Sequence, residues 1–205
     1  MPETSHAGEP RPAQVRLALP SEAETVAALQ RRCWDHDQPD ALRRWLLDHL
    51  DLATVTEGWH QAVTRPPDAR CRVLVAVAGT DEGEVAPPGG QDAPGGGIVG
   101  FATTQPADDP DATDAEDGEL AEWLVDPAAR GRGHGSRLLN AAVDTMRADG
   151  FTRATSWIAS TDDGRRRLLT DSGWDADGAH RAIGPEEELS VKQVRLHTAI
   201  EDVAP

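Results

Sequence analysis

Residues 125–139, VDPAARGRGHGSRLL, carry the chain from the end of an apolar strand, through a glycine-rich turn, into an amphipathic helix. The strand is Glu119, Leu120, Ala121, Glu122, Trp123, Leu124 and Val125, halted by Pro127. In the helix Leu138, Leu139, Ala142, Val143 and Met146 form one apolar stripe. A helix N-terminus presents N–H donors that lack partners, together with about half a unit of positive charge. Gly131, Gly133 and Gly135 let the backbone approach an anion closely and take positive φ where the turn needs it. Arg130, Arg132 and Arg137 make the local charge positive in a chain whose formal net charge is -16. Such a turn is built to cradle a pyrophosphate.

Two familiar phosphate loops do not fit. A nucleoside-triphosphate loop ends in Gly-Lys-Ser/Thr, and this turn ends in Gly135-Ser136-Arg137. A dinucleotide fingerprint reads G-x-G-x-x-G in the first strand–helix unit. Counting from Gly131 or Gly133, its third glycine is missing, and the turn falls late in the chain.

The spacing that does match is R-x-x-G-x-G, as Arg130, Gly133 and Gly135. With Val125, Pro127, Gly131, Leu138 and Leu139 in place, the segment resembles the acetyl-CoA-binding motif of the GNAT superfamily of N-acetyltransferases. The resemblance extends over about residues 14–200. It implies an α/β fold: a single mixed, mostly antiparallel sheet flanked by helices on both faces, with a V-shaped split between the fourth and fifth strands. It implies acetyl-CoA as co-substrate and no metal. Backbone of Trp123, Leu124 and Val125 would pair with the pantetheine arm. The turn of Arg130, Gly131, Arg132, Gly133, His134, Gly135 and Ser136 would hold the pyrophosphate. The implied function is transfer of an acetyl group to a primary amine of a small-molecule or protein acceptor. A homodimer is common in the family.

Amine acylation needs the amine deprotonated, the thioester carbonyl polarised and the geometry held. An amide N–H of the fourth strand is suited to polarise the carbonyl. Glu119 and Glu122 are the candidate bases on that strand; strand alternation places them on opposite faces unless a bulge intervenes. Glu119 lies eleven residues before Arg130, the offset of the carboxylate base in histone-acetylating relatives. Further on, Asp162 to Trp174 is similar to the family's N-x-x-A-x-x-x-Y-x-x-x-G-F pattern. Here Asp162 replaces the Asn and Leu169 replaces the Tyr that many relatives use to protonate the departing thiolate; the chain has no tyrosine at all. Water, Ser160 or Thr161 then remain as proton sources. An acyl-CoA-sensing domain without turnover is the alternative reading.

The rest of the chain fits one domain over residues 14–203, preceded by a polar, proline-bearing tail over 1–13. Strands are expected near residues 15–19, 72–78, 98–103, 154–159, 174–183 and 189–200. Helices are expected from a capping box at Ser21 to Glu24, over residues 40–50 with a continuation over 52–61, and after a cap at Asp162 or Asp163. The run RVLVAVA lacks polar alternation, so that strand is covered on both faces. Residues 83–97, rich in glycine and proline, and the acidic stretch 107–118 read as flexible, solvated loops. Trp34, Trp45 and Trp59 read as packing residues rather than a substrate stack. His180, alone near a closing strand, reads as structural. The acidic balance argues against nucleic-acid binding. No apolar run reaches the ~18–20 residues of a membrane span, and no secretory signal opens the chain, so the expectation is a cytoplasmic protein. Cys33 and Cys71 are too few for a disulfide framework or a zinc site and read as reduced thiols.

Overall fold

The computed structural model describes residues 12–79, 97–113 and 115–200. The tail expected over 1–13 and the loop expected over 83–97 lie almost wholly outside them. Strands β1 (Gln14–Leu17), β2 (Arg72–Val77), β3 (Ile98–Pro106) and β4 (Asp117–Val125) are successive antiparallel neighbours. β5 (Arg153–Ala159) joins β4 in parallel. β7 (Val191–Ala199) is inserted between β5 and β6 (Asp175–Ile183), giving one sheet of order β1-β2-β3-β4-β5-β7-β6. The helices are α1 (Ala23–Asp37), α2 (Asp40–His49), α3 (Leu52–Thr64), α4 (His134–Ala148) and α5 (Asp163–Asp171). The mixed, mostly antiparallel sheet between helices is the architecture read from the sequence. No helix among the described residues is long and apolar enough to cross a membrane.

Two cores follow from the alternation of the strands. Val73, Val75, Phe101 and Leu124 face α1 and α3, meeting Val26, Leu29 and Cys33, with Trp59 packed edge-on to Phe101 at 4.9 Å. Leu74, Ala76, Leu120 and Trp123 face the other way, onto Leu138, Leu139, Ala142 and Met146 of α4 and Leu169 of α5. β2 is therefore covered on both sides, as its unbroken apolar run requires. Each large side chain so buried contributes about 1.5–3 kcal/mol before conformational entropy is subtracted.

Three local expectations change. α1 begins at Ala23, after a 3₁₀ turn over Pro20–Glu22, so no Ser21–Glu24 capping box forms. Glu22 is instead engaged by Arg16 Nη1 (2.9 Å) and by the Leu19 N–H (2.8 Å). Of the two candidate caps for α5, Asp162 is the one used, accepting from the Arg165 N–H at 2.9 Å. The acidic stretch is not a loosely solvated loop. Asp117 and Gly118 already belong to β4. Arg195 on β7, only 5% exposed, donates to Asp109 (3.1 Å), to both oxygens of Asp111 (2.7 and 2.6 Å) and to Asp177 (2.7 Å). The Trp157 indole N–H adds a further bond to Asp109 at 3.1 Å. A buried guanidinium must satisfy its donors, and this one holds the acidic segment against the sheet.

β4 and β5 pair only from Asp117↔Arg153 to Glu119↔Thr155. At that end the side chains of β5 reach for the neighbouring backbone. Thr155 Oγ1 donates to the Gly118 carbonyl (3.2 Å) and Ser156 Oγ to that of Leu120 (2.9 Å). After Leu120 the two strands part, and the expected split opens.

Candidate active site

The wall of the split is shaped by a bulge in β4. Thr104 pairs with Leu120 but Ala102 pairs with Trp123, so β4 passes three residues where β3 passes two. The Glu122 N–H turns to the Thr103 hydroxyl at 2.9 Å. Before the bulge the carbonyls of Gly118 and Leu120 face β5. Past it, the Asp126 N–H donates to Val99 O at 2.9 Å. Alternation then points Leu124 at β3 as well and leaves the amide groups of Trp123 and Val125 facing the gap.

The same change of phase overturns one expectation. Glu119 alternates with the α4-facing Leu120, and the extra residue brings Glu122 to the side of the sheet that Glu119 and Leu124 share. The two carboxylates therefore lie on one face, that of α1, rather than on opposite faces. Glu119 is buried at the closed end of the split, with Arg181 Nη2 at 3.9 Å. Loss of water pushes its pKa above the ordinary carboxylate value, Arg181 opposing and Asp109 adding to the rise. Glu122 lines the open part of the split. Desolvation raises its pKa too, Arg165 opposing and Glu119 reinforcing the shift.

The glycine-rich turn departs from β4 through a 3₁₀ turn over Pro127–Ala129, capped by the Asp126 carboxylate. Gly131 and Gly133 have φ of 78° and 81°, the left-handed region that glycine enters without strain. Gly133 is the N-cap of α4, so the N–H groups of His134, Gly135 and Ser136 have no place in the helix's own ladder. Gly135 has no unusual φ, and the Trp123 indole donates to its carbonyl at 3.1 Å. Arg130 is committed to the protein. Its Nε donates to Val125 O (3.1 Å), and its two Nη groups grip the Asp37 carboxylate (2.8 and 2.6 Å). The end of α1 is thereby tied to the turn.

Between these parts lies a cleft of ≈ 1080 Å³. β4 from Ala121 to Val125, the turn, Ser156 to Ala159 of β5, and the start of α5 form one part of it. Cys33, Trp34 and Asp37 at the end of α1, with Leu42 and Leu46 of α2, form its roof. Ile183 at the end of β6 and Pro185 just past it, with Val191 and Gln193 of β7, close the far side. The Trp123 and Val125 N–H groups turned to the gap, leading to a positive-φ glycine turn at a helix N-terminus, fit an elongated thioester ending in a pyrophosphate.

The structure brings together Glu122, Trp123, Leu124, Val125, Arg130, Gly131, Gly133, His134, Gly135 and Ser136 as cleft-lining residues. Arg132 lies exposed beside them on the turn. Leu169 is fully buried in the core, while Leu168 and Thr161 face the cleft. Trp59 packs in the core, Trp45 stacks on His49 at 4.6 Å, and Trp34 lines the cleft. Cys33 lines it as well, its thiol pushed up to about 11, chiefly by burial. His180 is exposed on β6. Sequence reasoning missed Asp37, Leu42, Leu46, Trp157 and Ile183. For Trp157 the alternation of β5 was an available signal; the others depend on how α1, α2 and the β6–β7 hairpin meet across the sheet.

A model of the acetyltransferase (GNAT) family matches residues 27–174. Among curated proteins no sequence matches the chain. Among solved structures the chain is similar to yncA of Salmonella typhimurium, determined with its cofactor acetyl-CoA, at 17% identity and a TM-score of 0.63, covering 94% of this chain and 96% of that one. It is similar to an N-acetyltransferase of Staphylococcus aureus at 16% identity and a TM-score of 0.66, covering 92% and 98%. A ribosomal-protein-alanine N-acetyltransferase of Brucella melitensis matches at 18% identity and a TM-score of 0.63, covering 90% and 98%. At such identities these likenesses speak for the fold alone.

Proposed function

The chain belongs to the acetyltransferase (GNAT) family, and from that premise we propose that it transfers the acetyl group of acetyl-CoA to a primary amine, with Glu122 as the base. The observation that carries this reading is the β4 bulge. It turns the half-buried Glu122 carboxylate into the wall of the split, beside the Trp123 and Val125 N–H groups that face away from β3.

Acetyl-CoA supplies the acyl thioester. The first turn of α4, with Gly131 and Gly133, holds its pyrophosphate, and the backbone of Trp123, Leu124 and Val125 lines its arm. Glu122 takes the proton of the acceptor ammonium, leaving a neutral amine that can attack. An amide N–H of Trp123 or Val125, both facing the gap, donates to the carbonyl oxygen as charge develops there. The departing thiolate has no tyrosine to protonate it. Thr161 is one hydroxyl on the cleft wall, and water is another source.

Titration of acetyl-CoA into the purified protein is the direct test, followed by thiol release in the presence of amines. Micromolar binding with amine-dependent release is expected. Folded protein that binds no acetyl-CoA would overturn the reading. Binding without release for any amine would favour an acyl-CoA-sensing role.

A further inference from the structure

Resting on that reading, we infer that the acceptor is a compact monoamine with an apolar body, not a polyamine or an aminoglycoside. The face on which Glu122 opens is bounded by apolar groups from two separate parts of the chain. Trp34, Leu42 and Leu46 come from α1 and α2, and Ile183, Pro185 and Val191 from the β6–β7 hairpin. Ile183 and Val191 are direct cross-strand neighbours and Ile183 is 52% exposed, an apolar side chain left bare at the mouth of a cleft.

The charges around this space are arranged for one ammonium. Glu122 is the carboxylate of the β4 wall. Asp37 is already gripped by Arg130, Asp162 caps α5 with Arg165 Nε 3.4 Å away, and Asp163, next to it, is exposed to solvent at the start of α5. Along the floor, register places Gln193 beside Ala159 and Arg181. The Arg181 guanidinium lies 4.3 Å over the Trp157 ring and puts a positive charge at that end. A second or third ammonium would sit against Trp34, Leu42, Leu46 and Ile183, or face Arg181, and in either position it loses hydration without gaining a partner. Only the solvated Asp163 offers another carboxylate, and an exposed ion pair there adds little. An apolar body gains by displacing water from the same surfaces.

The test uses 2-phenylethylamine and spermidine as probes. Each is titrated into protein loaded with CoA, and each is assayed for thiol release from acetyl-CoA. We expect 2-phenylethylamine to bind, and to turn over in kcat/KM, at least about tenfold better than spermidine, the size of discrimination an apolar pocket supplies. I183D, at an exposed position outside the core, should cut that preference about tenfold and leave acetyl-CoA binding unchanged. Equal or better use of spermidine, absence of binding by both amines, or an intact preference in I183D would overturn the inference. Preferential binding of 2-phenylethylamine without thiol release would uphold it and sink the catalytic reading instead.

Discussion

Glu122 is a carboxylate whose charge desolvation disfavours, which strengthens it as a proton acceptor. Replacing it with Gln should lower kcat by about 10²–10⁴-fold while the affinity for acetyl-CoA, held by other residues, stays unchanged. Unchanged turnover in E122Q would exclude it as the base. Glu119 acts on it from the closed end of the split, since its negative charge adds to the rise in Glu122's pKa. E119Q removes that charge, so the acidic limb of the pH–rate profile should move to lower pH; a fixed limb would show that the two carboxylates do not interact. The consequence for stability has a definite sign. Burial raises the folded-state pKa of Glu119 above its unfolded value. Any stability it contributes is therefore complete below the unfolded pKa and lost as pH rises through the folded one. E119Q lacks the carboxylate whose ionisation burial disfavours, so rising pH should destabilise the parent protein more than E119Q in thermal scans, and an identical pH dependence in both would contradict this assignment.

The elements that meet at the turn are joined by few, specific links. Arg130 looked in the sequence like a phosphate-binding cation, yet its donors are taken by Asp37 and Val125 O. D37N should consequently weaken acetyl-CoA binding in the same direction as R130A, although Asp37 carries the opposite charge. The double variant should be little worse than either single one, with a coupling of about 1 kcal/mol for a partly exposed pair. If D37N tightened binding, Arg130 would be a phosphate ligand that Asp37 merely competes for. The turn and the amphipathic stripe of α4 were legible because glycine spacing and helical period are local properties. The bulge was not. Nothing in Glu119-Leu120-Ala121-Glu122 marks a change of phase; it arises from how β3 and β4 align, with Thr103 satisfying the displaced N–H. One extra residue then reversed the relation between the two candidate bases.

Across the whole molecule the strand segments could be read from their apolar runs, but the insertion of β7 between β5 and β6 could not. That order is set by which edges each hairpin covers. It also decides the fate of the acidic segment, because only in this order does Arg195 on β7 lie over Trp157 and within reach of Asp109, Asp111 and Asp177. In a chain of formal net charge -16, three clustered carboxylates are tolerated because a buried cation stands among them. R195L should therefore cost about 3 kcal/mol or more in urea unfolding at neutral pH, since it strands Asp109 and Asp177 among like charges. Added NaCl should restore part of that loss by screening the exposed members. Hydrogen bonds from Arg195 hold Asp111 down to about 2. A depressed carboxylate contributes stability above its unfolded value of about 3.9 and loses it as pH falls through the folded one. The parent protein should then lose stability between those two values by a step that R195L lacks. The same acid step in both proteins would show that Arg195 does not anchor the segment.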